Sequence, residues 1–393
     1  MEVDKEREFT FIRIFFWASF LTSIILALIE AMDWALFILH FLGLIIFLLI
    51  SLFLMFYLHR RGIGLGVFIT LAMLNLFIIV PEYALRVADF RYESGIQFGY
   101  PRPTQFVQLE LDSELFWKLN PSMPDVNSEG FPGDEFIIPK PEGIFRILYL
   151  GDSCTQHGYP EDVEALLNEN NPSNSYTFES VSLAVSGYSS HQGRILTEKY
   201  GKELEPDLVV IYYGWNDHWL AYGATDSEKE LNTSKLTDLY ITLHKFKLAQ
   251  LLFSVSDSIG GANEVPLDNV RVPLDQYQEN LSEITEFFAN KGVPVLFITA
   301  PTSHYQLGVP EYLVDLSFVH DTETAIALHK EYNETVRLIT QRDGGHLLDL
   351  EKDFDALPAE KLSGIFMDDG IHFTPNGQIL VAERIVEFVQ DLI

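Results

Sequence analysis

The sequence has little of two things that proteins commonly use, cysteine and positive charge. Its 393 residues include one cysteine, Cys154, so no intrachain disulfide can form and no zinc site can be built from several cysteines. Lys and Arg number 26 against 56 Asp and Glu, which gives a formal charge of −30. A surface this acidic repels phosphate backbones, and this excludes a role that depends on basic contacts with nucleic acid.

The negative charge is unevenly distributed along the chain. Residues 1–100 contain 7 Lys and Arg and 9 Asp and Glu, so almost all of the net charge belongs to the later residues. The acidic part is long enough for a domain with a sizeable core. We therefore expect a membrane module over 1–80, a connector over 81–144 and an acidic domain over 145–393.

Three long apolar stretches open the chain, at about 14–29, 34–58 and 63–80. Each is close to the roughly 20 residues that a helix needs to cross a bilayer. The first stretch has no small-residue cleavage site and two more follow it, so we expect it to be retained rather than removed as a signal peptide. The sequence predicts about three transmembrane helices, with membrane lipid as one partner and a partner membrane protein as a further expectation.

Basic residues in the short loops predict the orientation of this module. Three lie within the first 13 residues, and two more fill the second loop at 60–61. Positively charged loops stay in the cytoplasm, so the acidic domain is expected to be extracytoplasmic. Arg86 and Arg91, just after the third stretch, argue against this placement.

Prolines interrupt residues 81–144 repeatedly, so only short strands are expected there. Aromatic side chains occur between the prolines, among them Phe116, Trp117, Phe131 and Phe136. A segment with so many apolar anchors is expected to pack on the following domain rather than to extend freely into solvent.

From residue 145 onward, short β-rich runs alternate with amphipathic helical stretches. Strands are expected at 145–150, 178–184, 207–213, 293–300 and 346–350, and helices at 161–168, 194–203, 274–289, 322–341 and 376–393. This alternation is typical of a three-layer α/β/α domain with a doubly wound parallel sheet. A helical insertion over 233–255 carries leucines that suit packing on the core, on a partner or toward the membrane.

Reactive groups of such sheets gather beyond the carboxyl ends of the strands. Polar residues follow the first three expected strands, at 151–153, 186–188 and 214–217. A fourth polar segment, 369–372, precedes the last helix. We expect these four segments to meet at one rim of the sheet.

Ser153, Asp369 and His372 are the residue types of a nucleophile, an orienting acid and a general base. The spacing of Asp369 and His372 puts carboxylate and imidazole on one turn. Attack on an ester carbonyl creates an oxyanion, for which the backbone N–H groups of Ser153 and Gly187 and the side-chain amide of Asn216 are candidate donors. Each residue taken singly has an ordinary explanation as a turn, cap or core residue, and only their joint order at strand ends favours a catalytic site.

The chain resembles the SGNH family of GDSL-type hydrolases over about residues 145–393. Gly-Asp-Ser at 151–153 resembles the first block of the family, Gly187 the second, Gly-Trp-Asn-Asp at 214–217 the third and Asp-Gly-Ile-His at 369–372 the fourth. The resemblance implies a flavodoxin-like fold, ester hydrolysis or acyl transfer without a metal or cofactor, and an oxyanion hole from Ser153, Gly187 and Asn216. Asn-Ser-Glu-Gly-Phe at 127–131 is also similar to membrane-anchored members.

Several alternatives fit the residues less well or stay open. The nucleophile elbow of the α/β-hydrolases needs a glycine where Thr155 stands. Cys154 is better explained as a small buried residue than as the nucleophile, and no HExxH spacing suggests a metal. Aromatic residues near the rim suit either sugar faces or ordinary packing: Tyr188, Tyr213, Trp215, Trp219 and Tyr222. Three more histidines fall near strand ends: His191, His218 and His304.

Two functions of different classes follow from the sequence. The first is a membrane-anchored serine esterase or O-acyltransferase that acts on an extracytoplasmic ester or acylated glycan. The second is a non-catalytic accessory or structural subunit of a membrane complex that keeps the same fold. Because Ser153, Asn216, Asp369 and His372 are all intact, the sequence favours the enzyme.

Overall fold

The structure, a computed structural model, describes residues 57, 77, 80–92, 108–169, 171, 176–229, 235–244, 246–260 and 266–393. The three stretches expected to cross a membrane lie outside the described residues, apart from Tyr57, Phe77 and Val80. Of the helices in the described part, none is long and apolar enough to span a bilayer. The chain divides into two compact units, residues 1–94 with 234–263 and residues 95–233 with 264–393.

Helices and strands are numbered here along the described chain. The strands are β1 (Leu109–Asp112), β2 (Phe116–Leu119), β3 (Ile144–Gly151), β4 (Thr177–Ser182), β5 (Leu208–Tyr212), β6 (Leu220–Tyr222), β7 (Pro266–Val270), β8 (Val295–Ile298) and β9 (His346–Leu348). The helices are α1 (Val80–Val87), α2 (Ser153–Gln156), α3 (Tyr159–Glu169), α4 (Ser190–Tyr200), α5 (Lys235–Leu243), α6 (Lys247–Gly260), α7 (Leu274–Ala289), α8 (His304–Leu307), α9 (Glu311–Asp315), α10 (Thr322–Asp343), α11 (Leu350–Asp355), α12 (Ala359–Ile365) and α13 (Pro375–Leu392). A 3₁₀ turn covers Asp226–Glu228.

Five parallel strands form the central sheet, in the order β4-β3-β5-β8-β9. The chain leaves β3 toward one edge to form β4 and then returns past β3 to add β5, β8 and β9, which makes the sheet doubly wound. β5 and β8 are buried along their whole length, and this is why they occur as continuous apolar runs in the sequence. The predicted α/β fold with a central parallel sheet is confirmed.

Alternate residues of the strands enter the two halves of the core. Ile147 and Val210 belong to one half, and Leu148 and Val209 to the other. Helices α3 and α13 pack together on the first face of the sheet, and α4, α7 and α10 cover the second face. The result is the three-layer arrangement expected from the sequence.

The observed elements differ from the expected ones mainly at their ends. Helix α7 has the predicted bounds, 274–289. β8 ends at Ile298, two residues earlier than expected, because Ala300 N donates to the side chain of Asn333 instead of continuing the sheet. The helical insertion predicted over 233–255 consists of the two helices α5 and α6.

The antiparallel hairpin of β1 and β2 contacts the loop after β4. Trp117 Nε1 donates to the carbonyl oxygen of Ser186 at 3.0 Å, and the hydroxyl of Tyr188 donates to the carbonyl oxygen of Trp117 at 2.6 Å. These bonds hold both sides of Gly187. The hairpin therefore helps to position one of the predicted site residues.

In the unit that contains α1, Glu82 caps α6. Its two carboxylate oxygens accept from the backbone N–H groups of Lys247 and Leu248, at 3.0 and 2.7 Å. Arg86 Nε donates to the same carboxylate at 2.8 Å. A carboxylate at a helix N-terminus satisfies free N–H groups and suits the helix dipole.

Candidate active site

Ser153 lies where the strand β3 ends. Asp152 follows β3 and caps the short helix α2, its Oδ1 accepting a hydrogen bond of 2.9 Å from Cys154 N. Such a cap fixes the backbone at the start of a helix, so Ser153 is held as the first residue of α2. Ser153 is partly exposed, whereas Asp152 is fully buried.

Cys154, the neighbour of the serine, belongs to the core. It is buried, and its Sγ lies 3.7 Å from the carbonyl oxygen of Ile371. Burial raises the pKa of the Cys154 thiol, so this thiol stays protonated. A protonated thiol is a poor nucleophile, and Cys154 is best described as a packing residue.

His372 connects Ser153 to a carboxylate. Its Nε2 lies 2.7 Å from Ser153 Oγ, and its Nδ1 lies 2.6 Å from Asp369 Oδ2. An ionised carboxylate only accepts hydrogen bonds, so Nδ1 carries the proton and Nε2 can accept the proton of the serine. Asp369 Oδ1 accepts from the backbone N–H groups of Ile371 and His372, both at 2.9 Å. The carboxylate is thus fixed at two points.

The pKa values of this pair shift in opposite directions. Burial raises the pKa of Asp369, but hydrogen bonds from His372 and from the backbone outweigh burial and hold this pKa below 3.8. Burial lowers the pKa of His372, but the hydrogen bond and charge of Asp369, with a contribution from Asp152, leave this pKa above 6.5. His372 is therefore a stronger base than a free imidazole.

A cavity of about 370 Å³, the first cavity, borders these residues. Ser153 and His372 line one part of it. The rest of the wall is mostly apolar and includes Trp215, Trp219, Leu220, Tyr222, Tyr312, Leu313, Leu316, Phe318 and Ile371. An apolar wall with a few polar groups is typical of a site for an organic ligand.

Gly187 and Asn216 line the first cavity together with Ser153. Gly187 has a φ of +85°, a conformation that glycine adopts without strain. Asn216 Nδ2 lies 3.0 Å from the carbonyl oxygen of Tyr188 and 3.3 Å from Asp152 Oδ2. The bond to Asp152 is the longer and weaker one. The amide hydrogen of Asn216 that makes this bond is therefore the one available to donate to a substrate oxyanion.

Arg271 holds the peptide of Gly187. Its Nη1 donates to the carbonyl oxygen of Gly187 at 2.8 Å, and its Nη2 donates to Asp226 Oδ2 at 2.7 Å. Ser189 Oγ also donates to this carboxylate, at 2.8 Å. Burial raises the pKa of Asp226, but the charges of Arg271 and Lys229 outweigh burial and hold this pKa below 3.8. A charged, buried network thus fixes the loop after β4.

Asp217, next to Asn216, holds the loop after β5. It is fully buried, and its two oxygens accept from Ser190 N at 2.9 Å and Gly214 N at 3.1 Å. Burial raises the pKa of Asp217 to about 7. Through these bonds Asp217 places Asn216 on the rim and ties its loop to the start of α4.

A second cavity, of about 450 Å³, borders the same serine and histidine. It shares Ser153, His157 and His372 with the first cavity. Its other lining residues are Cys154, Met367, Phe373 and Gln378. Among its lining residues are neither Gly187 nor Asn216, so of the three candidate oxyanion donors only Ser153 borders both cavities.

His157 is a site residue that the sequence reasoning missed. Its Nε2 lies 3.3 Å from Ser186 Oγ, and its ring centroid lies 6.4 Å from that of His372. Burial, with a smaller contribution from His372, lowers the pKa of His157, so at neutral pH the ring can both donate and accept hydrogen bonds. Its position four residues after Ser153 was the available signal.

The structure brings all the predicted site residues to one rim: Ser153, Gly187, Asn216, Asp369 and His372. The three other histidines near strand ends, His191, His218 and His304, line neither cavity. Of the aromatic residues left open by the sequence, Trp215, Trp219 and Tyr222 line the first cavity, whereas Tyr188 and Tyr213 are buried packing residues.

The chain also matches a known family. The family model described as the GDSL-like lipase/acylhydrolase family matches residues 149–379. This match covers more than half of the chain and spans every predicted site residue. The chain therefore belongs to this family, and it is a hydrolase. No curated protein matches the chain.

Solved structures include similar chains of low sequence identity. A lipase/acylhydrolase from Enterococcus faecalis is 16% identical, with a TM-score of 0.41, and the match covers 63% of this chain and 95% of that one. A GDSL-like lipase from Bacteroides thetaiotaomicron is 14% identical, with a TM-score of 0.40 over 63% and 89% of the two chains. An acetylxylan esterase from Geobacillus stearothermophilus is 16% identical, with a TM-score of 0.38 over 62% and 92%.

Proposed function

We propose that this protein is a serine esterase or O-acyltransferase in which Ser153 is the nucleophile, His372 the general base and Asp369 the residue that orients the base. The proposal is carried by two consecutive hydrogen bonds, 2.7 Å between Ser153 Oγ and His372 Nε2 and 2.6 Å between His372 Nδ1 and Asp369 Oδ2. Ser153 and His372 border a cavity, so an ester carbonyl can reach the serine.

The proposed reaction uses side chains and backbone of this chain, with water or an alcohol as the second reactant. His372 Nε2 takes the proton of Ser153 while Oγ attacks the carbonyl carbon, and the oxyanion accepts from the N–H groups of Ser153 and Gly187 and the amide of Asn216. The bond from the carbonyl carbon to the alkoxy oxygen then breaks, and His372 passes its proton to the leaving alcohol. Water or a second alcohol attacks the acyl-enzyme by the reverse sequence.

We also propose that the catalytic domain acts outside the cytoplasm on an ester or acylated glycan, anchored by the segments 14–29, 34–58 and 63–80. The support for this placement is the length of the three apolar stretches and the basic residues of their loops. A reporter fused after Ile393 is expected to behave as extracytoplasmic and one fused at Arg60 as cytoplasmic. The reverse pattern would overturn the placement.

A serine-reactive fluorophosphonate probe tests the catalytic assignment. Labelling of the full chain is expected to disappear in Ser153→Ala and to fall strongly in His372→Ala. Ser186→Ala is the matched control, because it removes the hydroxyl of a second serine that lines the same cavity, and it should still be labelled. Labelling that survives in Ser153→Ala would overturn the assignment of the nucleophile.

Asn216→Ala tests the oxyanion hole. Loss of one such donor typically lowers kcat by about 10²- to 10³-fold, and we expect this loss for hydrolysis of an aryl ester. If the wild type folds but is never labelled, and Ser153→Ala, His372→Ala and Asn216→Ala all match it in a cellular complementation assay, the protein is an accessory subunit instead.

A further inference from the structure

The two cavities that meet at Ser153 and His372 are built differently. The first contains Gly187 and Asn216, two of the three candidate oxyanion donors, and an apolar wall contributed largely by residues 219–222 and 312–318. The second contains neither of these features and instead combines His157, which also borders the first cavity, with Gln378 and the apolar side chains of Met367 and Phe373.

This difference determines how an ester can lie across the serine. The carbonyl oxygen has to point at the oxyanion donors, so the carbonyl carbon lies at the first cavity and the acyl chain bonded to it can fill that cavity. The departing alkoxy oxygen has to reach His372 Nε2, which borders both cavities. With the acyl chain in the first cavity, the second cavity is the space that remains for the alcohol.

The charges around the cavities favour an uncharged ligand. Arg271 is the one Lys or Arg side chain among the described residues that line them, and it is already bonded to Asp226 and to the carbonyl oxygen of Gly187. The excess of Asp and Glu over Lys and Arg in residues 101–393 repels anions. Neither cavity therefore offers a free cation to a carboxylate or a phosphate.

We propose that the two cavities divide the substrate: the first binds an apolar acyl chain longer than acetyl, and the second binds a neutral alcohol that is hydrogen-bonded to His157. This inference rests on the proposed function, because it assigns the two halves of the ester that Ser153 cleaves. In the transfer direction, the bound alcohol gives its proton to His372 Nε2 and its oxygen attacks the acyl carbon. The bond to Ser153 Oγ then breaks, and Oγ takes that proton.

A series of p-nitrophenyl esters tests the first cavity. From acetate through butyrate to hexanoate, kcat/KM is expected to rise about fourfold for each added methylene that becomes buried. Leu316→Trp narrows the cavity and should lower the hexanoate-to-acetate ratio of kcat/KM about tenfold or more. Leu338→Trp, which changes an exposed leucine outside both cavities, should leave this ratio unchanged. If kcat/KM does not depend on acyl length, or if Leu316→Trp does not change the hexanoate-to-acetate ratio, the first cavity does not bind the acyl chain.

A set of esters that share one acid and differ in their alcohol tests the second cavity. His157→Ala is expected to lower kcat/KM for glyceryl monobutyrate relative to ethyl butyrate by roughly three- to tenfold, which is the effect of one neutral hydrogen bond. The preference for acyl length should not change. His320→Ala, at an exposed histidine outside both cavities, is the control. An unchanged alcohol ratio in His157→Ala, or a changed acyl preference, overturns the role of His157.

Binding to Ser153→Ala separates this inference from the proposed function. Calorimetry is expected to show that methyl hexanoate binds Ser153→Ala more tightly than methyl acetate, and that adding Leu316→Trp removes the difference. If the wild type cleaves esters through Ser153 without any preference for acyl length, the proposed function stands and this inference fails. If it cleaves no ester but binding follows acyl length, the proposed function fails and the assignment of the first cavity stands.

Discussion

The carboxylate of Asp369 binds both the backbone N–H and the imidazole ring of His372. Burial lowers the pKa of His372, yet this carboxylate more than offsets burial and leaves the pKa above 6.5. A general base works only in its unprotonated form. Ester hydrolysis should therefore fall as the pH drops through this raised pKa, so the acid limb of the pH–rate profile lies at a higher pH than an ordinary histidine would give.

Asp369→Asn is expected to move that acid limb to lower pH and to reduce kcat. The amide removes the negative charge that raises the pKa of His372, while the burial that lowers this pKa remains. The measurement is kcat/KM for an aryl ester as a function of pH. Asp368→Asn, at the exposed neighbouring residue, is the matched control. If the acid limb lies at the same pH in Asp369→Asn and the wild type, the charge of Asp369 does not raise the pKa of His372.

At the scale of elements, α13 packs closely on α12 and so places the segment that carries His372. Thr374 N donates to the carbonyl oxygen of Ile365 at 2.8 Å, and Thr374 Oγ1 accepts from Gly377 N at 3.2 Å. A Cβ atom added at Gly377 would lie 2.2 Å from the carbonyl oxygen of Ile365. Only glycine allows this approach of the two helices.

Gly377→Ala is expected to lower the free energy of unfolding by about 1–3 kcal/mol, because the new methyl group forces the helices apart. It should also reduce kcat, since His372 would move with α13. Gly364→Ala, in α12, has open space around its new Cβ and should be neutral or stabilising by about 0.5–1 kcal/mol. Denaturant unfolding measures both variants, and equal stabilities would show that the contact at Gly377 is not tight.

Arg271 follows β7 and fixes the loop after β4 through the carbonyl oxygen of Gly187. Lysine keeps the charge but lacks the planar fork that bonds Gly187 and Asp226 together. Arg271→Lys should therefore lower kcat about tenfold to a hundredfold through misplacement of the oxyanion donor, with little change in KM. Arg194→Lys, at a partly exposed ion pair with Glu198, is the control. A raised KM with unchanged kcat would instead assign Arg271 to substrate binding.

Strands β3, β5 and β8 could be predicted to within a few residues because the burial of nearly all their residues produces continuous apolar runs. Ser153, Gly187 and Asn216 could be predicted because they lie beyond the ends of β3, β4 and β5. Asp369 and His372 could be predicted because their spacing puts both on one turn before the last helix. The role of Arg271 could not be predicted, since its partner Gly187 is 84 positions away and only tertiary packing brings the two residues together. A single basic residue between Val270 and Val272 was the only sign of a buried charge.

At the scale of the whole molecule, the proposed proton transfers need no metal ion. In the part of the chain that the structure describes, no three His, Cys, Asp or Glu side chains are grouped to hold one. Hydrolysis of an aryl ester by the full chain is expected to be unchanged after incubation with a chelator, as measured by initial rates. A loss of rate that added zinc or another divalent cation restores would contradict the serine mechanism.

Ser153 follows the first strand of the central sheet, and His372 lies 219 positions later, just before α13. A ribosome therefore makes the proposed nucleophile long before it makes the proposed base. Until α13 docks beside α3, the proposed base His372 is not held against Ser153. The proposed reaction therefore requires that α13 be docked, a step that the partly synthesised chain has not yet completed.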